Sequence, residues 1–167
     1  MEVYIDGIKY IPAEVTGKTV VDILEPYIGA VEYDGVVETI QRWFYNGDCP
    51  HTAWCATTIT YALAMLGIRQ KTMKNRQDNV YLMLEDMRAT GTAKEISIND
   101  PIKRGDIIFL DYGNKMSVTS NKHVTAAYED TPANSEAVKC LGGNQSDMLC
   151  VKTYTKKNIA AIMRPAY

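Results

Sequence analysis

An excess of charge of either sign is missing from this chain. Eighteen Lys and Arg stand against twenty Asp and Glu, a net charge of −2 over 167 residues. Proteins that grip nucleic acid through phosphates carry a basic excess, so this balance argues against an electrostatically driven nucleic-acid binder. Long apolar runs are missing too: none approaches the roughly 20 residues needed to cross a bilayer. The opening Met1-Glu2-Val3-Tyr4-Ile5-Asp6 has neither a basic stretch nor an apolar one. No secretory signal is therefore expected, and synthesis in a cytoplasm is. Histidine is scarce, with only His51 and His123, so imidazole chemistry has two candidates. The four cysteines, Cys49, Cys55, Cys140 and Cys150, form no C-x-x-C pair and are expected as free thiols in a reducing compartment. Cys49, His51 and Cys55 lie close together, but C-x-H-x3-C matches none of the usual zinc spacings. Neither a metal nor a cofactor is expected.

What is present describes an ordinary globular domain, 46% hydrophobic and 23% charged. A chain of this length buries about 70% of its unfolded surface. Val3 to Ile11 alternates around Asp6-Gly7, which predicts a hairpin with a type I′ turn. Thr19 with Asp22 predicts a capped short helix, stopped by Pro26. Asp34 precedes an apolar stripe of Val36, Val37, Ile40 and Phe44, a second helix. The clearest helix spans about 53–66 and stops at Gly67. Another is expected over 78–88, before Gly91. Then the period changes. Segments 106–112, 122–128, 137–141, 149–154 and 159–164 read as strands separated by Gly, Asn, Asp and Pro. Helices first and an antiparallel sheet after them is an α+β order.

Cys55 falls in the first turn of the strong helix. Unpaired N–H groups and the positive end of the macrodipole favour a thiolate there, and such positions bring a thiol into the range of about 3.5 to 7.5. A cysteine nucleophile also needs a base that is near in space.

An ordered series surrounds these residues: Trp54-Cys55-Ala56, then Gly105-Asp106-Ile107-Ile108-Phe109, then His123-Val124, then Leu141-Gly142-Gly143-Asn144-Gln145-Ser146, and finally Ile162-Met163-Arg164-Pro165. In this series the chain resembles the NlpC/P60 and CHAP superfamily of papain-like cysteine peptidases and amidases, over about 36–165. The resemblance implies an α+β papain-like (NlpC/P60-type) fold, with helices packed on an antiparallel sheet and a short hairpin in front. The hairpin and its connection (1–30) would precede a hydrolase domain (31–167). It implies Cys55 as nucleophile, His123 as base and Asn144 as the polar residue that orients the imidazole. Trp54, His51 and Gln145 are the candidates for substrate contact. Two positions depart from the family pattern: Lys122 stands where Gly usually precedes the histidine, and Thr125 where a smaller residue follows. The implied substrate is the peptide of peptidoglycan, cut at a stem-peptide bond or at the bond joining muramic acid to L-alanine. The protein would reach the wall after release by lysis or delivery in a virion or by a secretion machine, with a virion or delivery partner. Two other readings keep the scaffold. One is a binding or virion-structural module without activity; the other is a thiol amidase acting on a different amide in a host cell.

Overall fold

The computed structural model describes residues 3–5, 8–10, 17–113, 116–119 and 122–167. Strands β1 (Val3–Ile5) and β2 (Ile8–Tyr10) pair antiparallel, with Ile5 opposite Ile8 and Val3 opposite Tyr10. Two residues remain between the strands, the loop length of a tight hairpin. The expected turn residues, Asp6 and Gly7, lie outside the described residues.

The helices that follow are α1 (Val20–Leu24), α2 (Val36–Phe44), α3 (Cys55–Met65), α4 (Arg69–Thr72) and α5 (Val80–Thr90). Local chemistry sets their ends. At the head of α1 the Asp22 carboxylate accepts from the Thr19 N–H at 2.6 Å and its hydroxyl at 2.9 Å. A 3-10 turn holding Pro26 closes that helix. Asp34 accepts from the Val36 N–H at 2.9 Å and Glu38 from the Gly35 N–H at 2.8 Å, satisfying donors that the first turn of α2 leaves open. Asn79 caps α5 by accepting from Tyr81 and Leu82 at 3.0 and 3.2 Å, so that helix starts two residues later than expected. Gly67 and Gly91 take left-handed backbone, φ 72° and 70°, at the ends of α3 and α5. The short α4 was not anticipated.

The second half of the chain is a sheet. Its strands are β3 (Lys94–Glu95), β4 (Ile107–Asp111), β5 (Lys122–Ala127), β6 (Ala137–Gly142), β7 (Cys150–Thr155) and β8 (Ile159–Arg164). They lie in the order β3-β8-β4-β5-β6-β7, every pairing antiparallel. The architecture is therefore mixed α+β around a six-stranded antiparallel sheet. Only the two-residue edge strand β3 lay outside the expected set.

Alternation along the strands divides the core in two. Ile107, Phe109, Val124, Ala126, Leu141 and Met163 face the helical layer. Ile108, Leu110, Ala127, Val138, Cys140 and Ile162 face the other way, under Ile96 and Ile102. Val20, Val21 and Leu24 of α1 belong to the first core together with α3, so the packed body begins before residue 31. Asp106, 1% exposed, accepts from Arg164 at 2.7 Å on each oxygen and ties the turn before β4 to β8. Among the described residues no helix is long and apolar enough to cross a membrane.

Candidate active site

Cys55 is the first residue of α3 and is 5% exposed. Its helix is unusually apolar for its whole circumference, with Thr57, Thr58 and Thr60 buried beside Ile59, Ala62 and Leu63. The threonine hydroxyls are accommodated by carbonyls: Thr57 and Thr58 both donate to the Trp54 carbonyl, at 3.0 and 2.7 Å. Burial pushes the Cys55 thiol up from its ordinary value, against the backbone N–H groups of Val124, Ala56 and Cys55 itself, which favour the thiolate. The expectation of a thiolate from helix position alone is thus reversed. The helix end contributes in the expected direction, but desolvation of a sealed sulfur is the larger effect.

The Val124 N–H that serves the sulfur brings strand β5 against the start of α3. Val124 turns its side chain into the helical layer with Cys55. His123, one residue earlier, pairs with Leu110 and faces the opposite layer. There its ring meets two groups, the Gln145 amide and Tyr154, whose ring centre lies 6.1 Å away. Gln145 is 2% exposed. Its Nε2 donates to the carbonyls of Cys150 and Cys140, and its Oε1 accepts from the Tyr154 hydroxyl at 3.0 Å. With both amide ends assigned by these partners, the 3.2 Å contact to His123 has one polarity: His123 Nε2–H donates to Gln145 Oε1. The lone pair is then on Nδ1. Burial depresses the imidazole to about 4, with the nearby Lys152 charge adding to it and the Gln145 bond opposing it. At neutral pH the site holds a thiol and a neutral imidazole.

The hydrogen bond expected of Asn144 is made by its neighbour. Asn144 has φ 58°, as have Ser146 and Asp147, and this run of left-handed residues makes the turn between β6 and β7. Asn tolerates that geometry; Gln145, between them, points inward. The sequence signal for this was present, because an Asn beside Gly142-Gly143 is a turn residue before it is anything else.

Trp54 is fully buried and its indole N–H donates to Glu32 at 3.1 Å. It packs over Gly143, where an added Cβ would come within 2.5 Å of the ring. A substrate cannot touch it there. His51 is by contrast exposed on the loop before α3, stacked on Tyr33. Lys122 donates to the Val118 carbonyl at 2.6 Å, and its charge acts on Cys55 rather than on His123. Thr125 is buried beside Gly142, its hydroxyl without a hydrogen-bond partner among the described residues. All four cysteines are free. Among the described residues no three His, Cys, Asp or Glu side chains are grouped to hold a metal ion. A groove of about 540 Å³ flanks the 48–53 loop, lined by Tyr45, Asp48, Pro50, Thr52 and Asp78 among others. No protein-family model and no curated protein matches the chain.

Proposed function

We propose that the protein is a papain-like thiol hydrolase of the NlpC/P60 and CHAP kind, cutting an amide bond in the peptide of peptidoglycan. The observation that carries this reading is the seam between α3 and β5. The Val124 main chain, next to His123, lies against the Cys55 sulfur at the helix start, and the buried Gln145 amide leaves the His123 lone pair on Nδ1. For this reaction the His123 ring has to turn across β5 toward the sulfur, since here it faces the opposite layer; the Cys55 proton then passes to Nδ1 and the sulfur attacks the carbonyl carbon. The oxyanion takes the N–H groups of the helix start. The imidazolium returns its proton to the leaving amine, and water then hydrolyses the thioester. Because both groups rest uncharged, ionisation belongs to the attack and not to the resting enzyme. Gln145, not Asn144, takes the orienting role. The groove along the 48–53 loop, lined by Ala53 two residues before Cys55, offers room for a peptide near the head of α3.

A second reading, a binding module on the same scaffold, is favoured by two observations. Cys55 and His123 are both sealed from solvent, and β5 turns them toward opposite layers. Purified sacculi digested with the protein, followed by mass analysis of the released muropeptides, separates the two. The hydrolase reading expects new peptide termini, lost in Cys55→Ala while the fold is kept, since alanine suits a helix start. Intact muropeptides, or equal cleavage by Cys55→Ala, would leave the binding module.

A further inference from the structure

A thiol–imidazole–carboxylate array stands outside the seam just described. Cys49 Sγ lies 3.7 Å from His51 Nε2, and His51 Nδ1 lies 4.0 Å from Glu38 Oε1. Each member is held from outside the array. Glu38 accepts from the Tyr33 and Gly35 N–H groups at 2.5 and 2.8 Å. Its burial favours the neutral acid, yet these backbone donors outweigh it and keep the carboxyl below its ordinary value. Its negative charge favours the tautomer with the proton on Nδ1, which puts the Nε2 lone pair toward the sulfur. The His51 ring is clamped by Tyr33, with ring centres 4.7 Å apart and planes 24° apart. The Oε1 of the fully buried Gln41 accepts from the His51 N–H at 3.0 Å and from the Cys49 thiol at 3.9 Å. Both clamped residues have left-handed backbone, Tyr33 at φ 71° and His51 at φ 49°. Such strain in an aromatic residue persists only where its surroundings enforce it. Unlike Cys55, the array is open: the His51 side chain is 34% exposed and Cys49 is half-buried.

We propose that Cys49 is a base-activated thiol that exchanges with low-molecular-weight disulfides of the glutathione class. His51 Nε2 takes the Cys49 proton. The sulfur attacks one sulfur of the disulfide, the S–S bond between the two small thiols breaks, and a mixed disulfide forms on Cys49. The departing thiolate recovers the proton from the imidazolium, so the disulfide is the only oxidant consumed. Cys150 is the natural internal standard. It is also half-buried, but its sulfur donates to the Gln145 carbonyl and no imidazole lies against it.

The experiment incubates the folded chain with oxidised glutathione near pH 7.5 and follows each cysteine peptide by mass. Cys49 should be modified on the order of a hundredfold faster than Cys150, the lower end of general-base assistance. His51→Asn should remove that advantage; asparagine tolerates the left-handed backbone at this position and offers no base. Glu38→Gln should remove part of it, keeping one of the two acceptor oxygens that the Tyr33 and Gly35 N–H groups use. Equal rates at Cys49 and Cys150, or an unchanged Cys49 rate in a folded His51→Asn protein, would overturn the proposal. The wild-type comparison alone decides the matter if that variant does not fold. Neither outcome depends on whether Cys55 cleaves an amide.

Discussion

The two ends of the Gln145 amide are not interchangeable, and this gives the residue an effect beyond packing. Turning it over would set its NH2 group against the His123 N–H and its oxygen against two carbonyls, stranding several buried polar groups at about 1–3 kcal/mol each. The amide therefore dictates the histidine tautomer. Gln145→Ala should lower kcat for amide cleavage by roughly tenfold or more with KM little changed, because a misoriented base is felt in the transition state. Gln145→Glu keeps the acceptor for His123 but sets a carboxylate oxygen against the Cys140 and Cys150 carbonyls, so it should also lower the thermal midpoint. Asn144→Ala should do the reverse of Gln145→Ala. Turnover per folded molecule should be normal and the thermal midpoint lower, since alanine is poorly suited to φ 58°. Steady-state kinetics and thermal melts on the same samples check both. A fall in kcat for Asn144→Ala with an unchanged midpoint would return the orienting role to Asn144.

The elements themselves were largely legible, for reasons that can be named. Strands β4, β5, β6 and β8 are dense in β-branched or apolar residues and are bounded by turn formers, while Thr19, Asp34 and Gly91 mark helix ends by chemistry that needs no tertiary contact. The two-residue β3 was not legible, because Lys94 and Glu95 are exposed on both faces and acquire strand geometry only by pairing with β8. Nor was the resting state of Cys55, which depends on how β5 closes over the helix start. Nor was the Cys49–His51–Glu38 array, because Glu38 is brought to the loop by the fold of α2. Gly143 has no room for a side chain. A Cβ there would stand 2.4 Å from the Thr58 hydroxyl of α3 and 2.5 Å from the Trp54 ring, both fully buried. Gly143→Ala should therefore cost about 1–3 kcal/mol by overpacking, read as a lower midpoint in denaturant at an unchanged slope. A midpoint within error of wild type would show that the α3–β6 seam has room to adjust.

Over the whole molecule, acidity tests whether the sealed histidine is as it is described. Asp22, Asp34, Glu38, Glu95 and Asp130 have carboxyls held below their ordinary values in the fold. The stability they contribute is complete above their unfolded values, near 4, and is lost as the pH falls below that. His123 acts in a different window. Its folded value is depressed to about 4 from an ordinary 6.5, so between these limits the unfolded chain binds a proton that the fold refuses. Stability must then fall as the pH drops from 6.5 to 4, and this component levels off below 4, where both states are protonated. The full difference is on the order of 3 kcal/mol. His123→Gln removes this titration and leaves the five carboxyls in place, so subtracting one protein's unfolding free energy from the other's isolates the imidazole. That difference should be constant from pH 8 to 7. It should then shift against wild type through pH 5 and become constant again below about 3, as measured by urea denaturation at each pH. A difference that stays flat across the whole range would mean that His123 ionises in the folded protein as it does in the unfolded chain. The imidazole would then be open to water rather than buried behind Gln145 and Tyr154.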